Sequence, residues 1–116
     1  MDTINTISAL AALAQETRLE TFRLLVKHEP FGVSAGDVAR IIGVPQNTMS
    51  AHLAVLSRAG LVTGERRSRS IIYRADLDRL RAVITFLLKD CCGGAPNLCA
   101  PLMVELSSCC PSGVNS

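Results

Sequence analysis

The chain has 116 residues, of which 48% are hydrophobic and 19% charged, with only 3% aromatic residues, no Trp and a net charge of +2. Such a length suits a single domain with a real but modest core, to which a partner subunit would add. An interior drawn from Leu, Ile, Val and Ala favours packed helices over a β-sandwich, and no apolar run approaches the ~18 residues of a membrane span.

No basic residue precedes Arg18, so there is no sign of a secretory signal, and the expectation is a cytoplasmic protein with no membrane partner. Charge is unevenly placed. Residues 34–74 hold six arginines (Arg40, Arg58, Arg66, Arg67, Arg69, Arg74) against Asp37 and Glu65, a local +4 that leaves −2 for the rest. A basic middle on a slightly acidic chain is a footprint of localised phosphate contact. All five cysteines lie in the last 26 residues. They do not staple a core, and in a reducing compartment they are thiols open to a soft ligand or to redox chemistry.

In chain order, Ile4, Ile7, Leu10 or Ala11, and Ala14 recur at helical spacing, among alanines at 9, 11, 12 and 14 that imply close helix contact. A second helix from about Glu16 carries Leu19, Phe22 and Val26 on one side, widened by Leu24 and Leu25, and should fray before Pro30. Ser34-Ala35-Gly36-Asp37 has the spacing of a capping box, followed by Val38, Ile41 and Ile42 as the inward face of a short third helix that Gly43 ends. Only Val44 and Pro45 then separate it from the next helix, so a helix-turn-helix is predicted.

That next helix is the centre of the chain. Met49, Leu53 and Leu56 share one face at spacings of four and three, which anchors a helix on a core. Asn47, Ala51, Ala54 and Arg58 point the other way, with Thr48 and Ser50 on the flanks. The outer face is short and uncharged until its last residue, suited to base edges and phosphates. An ordinary solvated face would carry more Lys and Glu. Pro45 stands where a first helical residue belongs and Gly60 where a left-handed terminator belongs.

Past Gly60, Leu61 to Arg66 and Ser70 to Arg74 are two β-prone runs around the polar tip Arg67-Ser68-Arg69, a predicted hairpin. Four arginines and no acid between residues 66 and 74 point to phosphate. From Asp76 a last helix carries Leu77, Leu80, Ile84, Leu87 and Leu88 towards Cys91-Cys92-Gly93-Gly94. Its apolar surplus, with the Ala-rich first helix, suggests a homodimer seam. The prolines at 96, 101 and 111 and the Ser/Gly/Asn end read as a tail.

The segments Ala12-Leu13-Ala14-Gln15-Glu16-Thr17-Arg18-Leu19, Gln46-Asn47-Thr48-Met49-Ser50-Ala51-His52-Leu53 and Leu56-x-x-Ala59-Gly60-Leu61-Val62 resemble the ArsR/SmtB family of bacterial metalloregulatory repressors, over roughly residues 8–92. The resemblance implies a mainly α, dimeric winged helix-turn-helix with a β-hairpin wing. It implies a repressor that binds an operator, an inverted repeat, when ligand-free and leaves it when a metal or metalloid binds. Domain 1–92 would then read and dimerise, with 93–116 a cysteine-containing tail. Gln46, Asn47, Thr48, Ser50, Ala51, His52 and Arg58 fall on the DNA-reading helix, with His52 to one side of its outward face, and Arg66, Arg67 and Arg69 on the wing.

Two departures bear on the ligand. The family's Cys-x-Cys arsenic site at the start of the third helix is replaced by Ser34 and Gly36, and its zinc site on the last helix lacks any His between Asp76 and Asp90. The candidate that remains is the cysteine-rich end. Cys91 and Cys92 are adjacent, and Gly93-Gly94-Ala95-Pro96 can turn the chain so that Cys99 joins them. Three thiolates suit As(III) or Sb(III), whereas zinc needs a fourth ligand. Cys109 and Cys110 could supply that ligand or form a second site. The alternatives are the same repressor with a thiol redox, persulfide or Cd/Pb/Zn switch. An enzyme is not expected, since there is no Cys-x-x-Cys and no base near the thiols.

Overall fold

The computed structural model describes residues 2–88, which form five helices and three strands. In order these are α1 (Thr3–Leu13), α2 (Glu16–Lys27), β1 (Val33–Ser34), α3 (Ala35–Ile42), α4 (Gln46–Arg58), β2 (Val62–Arg67), β3 (Ser70–Ala75) and α5 (Leu77–Leu88). Met1–Val83 is one compact unit, and the end of α5 from Ile84 belongs to a second. The expected boundary at residue 92 and the tail 93–116 lie outside the described residues.

Local chemistry sets the helix ends. The Asp2 carboxylate accepts the Asn5 amide at 2.8 Å and opens α1, and the Gln15 side chain accepts the Arg18 amide at 2.9 Å to open α2. Arg18 Nε also donates to the Ala12 carbonyl at 2.6 Å, tying the start of α2 to a free acceptor at the end of α1. At α3, Ser34 Oγ accepts the Asp37 amide at 3.2 Å, as the capping box requires. The Asp37 carboxylate turns to Arg40 at 3.2 Å instead of closing the box. Pro45 proves to be the cap residue of α4, with an extended ψ of 149°, and not its first helical residue.

The core forms where α2, α3 and α4 meet the root of the hairpin. Met49, Leu53 and Leu56 of α4 are fully buried against Phe22, Leu25, Val38, Ala39, Leu61 and Val62. Each such side chain contributes about 1.5–3 kcal/mol of burial. Thr21, buried among them, donates its hydroxyl to Met49 Sδ at 3.6 Å, which spares the core an unsatisfied polar group.

The predicted hairpin forms, and it is part of a three-stranded antiparallel sheet ordered β1-β3-β2. Val33 pairs with Tyr73 and Ser34 with Ile72, so the entrance to α3 is fastened to the wing. On the other edge β2 and β3 run in register from Val62↔Ala75 to Arg67↔Ser70, leaving Ser68-Arg69 as the tip. Ser68 takes a φ of 58° there.

On α1 the buried residues are Thr6, Ala9 and Ala12. The isoleucine stripe faces outward, with Ile4 76%, Ile7 60% and Leu10 40% exposed. The small side chains let α1 lie close to the body, and the large ones are left on the surface.

Candidate nucleic-acid interface

The turn between α3 and α4 holds three residues. Gly43, at φ 87°, stops α3 with its amide on the Ala39 carbonyl at 2.8 Å, and Val44 follows on the same acceptor at 3.1 Å. Pro45 then launches α4, with the Met49 amide donating to the Pro45 carbonyl at 2.9 Å. With Met49, Leu53 and Leu56 committed to the core, the helix period leaves Gln46, Asn47, Thr48, Ser50, Ala51, Ala54 and Arg58 exposed. His52 is half-buried at the margin of that face, where the sequence placed it. Asn47 folds its side-chain oxygen onto the Thr48 amide at 2.9 Å, which satisfies an orphan donor of the first turn. Its amide nitrogen keeps two donors for an outside acceptor.

Arg66, Arg67 and Arg69 are all exposed on β2 and the tip, as expected of a wing. Their electrostatic situations differ. Arg67 Nη2 lies 3.1 Å from Glu65 Oε1, so its charge is already partnered. Arg40 is likewise paired to Asp37, and Arg74 makes a two-pronged contact with Glu29 at 2.8 and 3.2 Å that raises its pKa above the ordinary guanidinium value through that hydrogen bond and charge. Arg58, Arg66 and Arg69 form no ion pair among the described residues. The locally positive middle of the sequence therefore resolves into three compensated cations and three open ones. Sequence reasoning missed this because Glu29 is 45 positions from Arg74. Within the wing, the Glu65-x-Arg67 spacing on one face of a strand was a legible signal.

Among the described residues there is no group of three or more His, Cys, Asp and Glu that could hold a metal ion. The candidate ligands Cys91, Cys92, Cys99, Cys109 and Cys110 lie outside the described residues. No described helix is long and apolar enough to cross a membrane.

A helix-turn-helix domain model matches residues 13–65, the span from the end of α1 through the first half of the wing. The transcriptional activator HlyU of Vibrio cholerae is 30% identical over 83 residues, covering 72% of this chain and 74% of its own. The chain belongs to the ArsR family of transcriptional regulators. Two solved structures agree with that assignment. The homodimeric winged helix-turn-helix DNA-binding domain of Mb0332 from Mycobacterium bovis, a possible ArsR-family regulator, superposes with a TM-score of 0.61 at 27% identity, covering 74% of this chain and 80% of that one. A possible transcriptional regulator for arsenical resistance does so with a TM-score of 0.59 at 30% identity, covering 72% and 86%. This ArsR-family chain is therefore a winged helix-turn-helix DNA-binding regulator of transcription.

Proposed function

We propose that the protein is a homodimeric repressor whose α4 reads an inverted-repeat operator, and that As(III) or Sb(III) bound by Cys91, Cys92 and Cys99 releases it. The DNA half is carried by the outer face of α4, small, polar and exposed, together with the open cations Arg58, Arg66 and Arg69. Asn47, Thr48 and Ser50 read bases, and the wing arginines hold phosphate and set the register.

Dimerisation is supported by the exposed Ile4, Ile7 and Leu10 stripe on α1 and by exposed Leu77 at the start of α5. A second copy covering this stripe would bury what a lone protomer leaves wet. Two recognition helices about 34 Å apart would then meet successive major grooves. The homodimeric state of Mb0332 adds weight to this.

The ligand half rests on the sequence: five cysteines in the last 26 residues after none in the first 90. Three thiolates without nitrogen or oxygen ligands suit a trivalent metalloid. Similarity to a possible regulator for arsenical resistance supports the same ligand class. Emptying an operator from 99:1 to 1:99 requires the ligand to prefer the released state by about 5.5 kcal/mol. A trithiolate site completed only in that state meets such a demand.

The test is to titrate the reduced protein with arsenite, cadmium and peroxide while following its binding to the tightest duplex recovered from a random pool. Arsenite should release the duplex, and Cys99→Ser should bind it normally and ignore arsenite. Release by peroxide alone would replace the metalloid with a redox switch. Release of Cys99→Ser at the same arsenite concentration would leave only a two-sulfur site.

A further inference from the structure

The point where α4 ends is also the point where α5 begins. The hairpin brings them together: its root pair Val62↔Ala75 places residue 61 beside residue 76, and the Asp76 amide donates to the Leu61 carbonyl at 2.8 Å. On the α4 side, the Leu61 amide reaches back to Leu56 at 3.0 Å and the Gly60 amide to Ser57 at 2.9 Å, closing the helix. On the α5 side, Asp76 Oδ1 accepts the Arg79 amide at 3.0 Å, which fixes Arg79 in the first turn.

The Arg79 guanidinium lies over Gly60. A β-carbon built on Gly60 would stand 2.6 Å from Arg79 Nε, 2.8 Å from Nη2 and 2.9 Å from Cζ, all far inside contact distance. Gly60 also has a φ of +80°. The conformation alone would explain a glycine, or an Asn, which tolerates that region. The guanidinium lies where a β-carbon would stand, so any residue other than glycine here has to push the end of the Arg79 side chain off the backbone. A delocalised cation held beside Gly60 lies near the C-terminal end of α4, the negative end of its dipole.

We infer that Arg79 is a positioning residue for DNA reading: its guanidinium, packed on the bare backbone of Gly60, locks the exit of α4 to the first turn of α5 and so sets the pose of the recognition helix. The inference rests on α4 being the DNA-reading helix, as proposed above. Arg79 is a positioning group and makes no phosphate contact. Its loss weakens sequence-specific binding through α4 and leaves the number of phosphate contacts unchanged.

Two substitutions separate the parts. Arg79→Met keeps the aliphatic stem and removes the guanidinium, and Gly60→Asn keeps the left-handed backbone and fills the space. Arg79→Lys restores charge without the planar group and should rescue in part. The full chain should be followed in two ways: amide hydrogen exchange across Val55–Leu61 without DNA, and affinity for the selected duplex over a series of salt concentrations.

Arg79→Met is expected to speed exchange in that last turn and to lower affinity about three- to tenfold, with an unchanged salt slope. Gly60→Asn should do the same, and its effect should shrink in the Arg79→Met background, because the contact it breaks is already gone. Unchanged exchange in Arg79→Met, or full additivity of the two substitutions, would overturn the inference. So would a loss of affinity with a slope shallower by about one, the mark of a direct phosphate contact. If the wild-type chain recovers no duplex at all, the DNA-reading role of α4 fails, while the exchange data still decide whether Arg79 locks the helix exit.

Discussion

α1 and α4 are both amphipathic helices of similar length, yet they turn opposite sides to the body. α4 hides its large side chains, with Met49, Leu53 and Leu56 fully buried, and shows Asn47, Thr48, Ser50 and Ala51. α1 hides Thr6, Ala9 and Ala12 and shows Ile4, Ile7 and Leu10. A helix with its apolar side spent on its own core is free to present a polar, close-approaching surface to something wet and charged. A helix that sits down on alanines keeps its apolar side for another apolar surface. The two exposed faces thus differ as the proposed partners do, with a polyanion proposed for α4 and a second copy for α1.

The largest expected effect tests the buried half of this contrast. Leu53→Ala should cost about 2–5 kcal/mol of unfolding free energy, since it opens a cavity where three helices meet. Ala54→Ser, one position along on the outer face, should stay within about 0.5 kcal/mol. Urea denaturation of the two variants side by side checks the difference; similar losses would mean that α4 is not seated by Met49, Leu53 and Leu56.

Next in size is the exposed half of α1. Ile7→Glu places a charge at the middle of the outward stripe and should weaken self-association by about 2 kcal/mol, roughly thirty-fold in dissociation constant. Folding of the protomer should be little affected, because Ile7 is already exposed. Sedimentation equilibrium reads the association and circular dichroism the fold. An Ile7→Glu chain that associates as before would remove α1 from the seam.

How far these faces could be read beforehand differs for a physical reason. In α4 the period, the stop at Gly60 and the polarity of the outer residues all agree, so its inward and outward sides were legible from sequence. In α1 the same period marks an apolar stripe without saying which surface buries it, since a partner and the chain's own core ask for identical residues. β1 was invisible because two residues, Val33 and Ser34, cannot show alternation. The pairing of Arg74 with Glu29 and the seat of Arg79 on Gly60 are contacts between distant positions, fixed by the fold and carrying no local pattern. The cysteines are the reverse case: their proposed role rests on composition alone, and they lie outside the described residues.

A smaller effect is expected on the outer face of α4. If Asn47 reads a base as proposed, Asn47→Ala should cost about 1–3 kcal/mol of discrimination at that base pair, leaving binding to unrelated duplexes unchanged. Competition between the selected duplex and single-base variants measures it. A uniform loss across all sequences would reassign Asn47 to backbone contact.

The smallest effect concerns the wing, where the open and paired arginines should behave differently although they stand side by side. Arg66→Ala removes an unpaired cation and should make the salt slope shallower by about one. Arg67→Ala should change it less, because Arg67 must surrender Glu65 before it can meet a phosphate. Glu65→Gln is the sharper probe. It abolishes the competing charge and also removes an anion from a surface that faces DNA, so affinity should rise by no more than about fivefold, the scale of an exposed ion pair. The slope should steepen towards one additional contact, and base preference should stay as it was, since a strand side chain gripping phosphate carries no sequence information. Fluorescence anisotropy at four salt concentrations would resolve this. A Glu65→Gln chain that bound no more tightly, with an unaltered slope, would show that Arg67 reaches phosphate in the wild type despite its partner, and that the division between open and compensated arginines has no bearing on the complex.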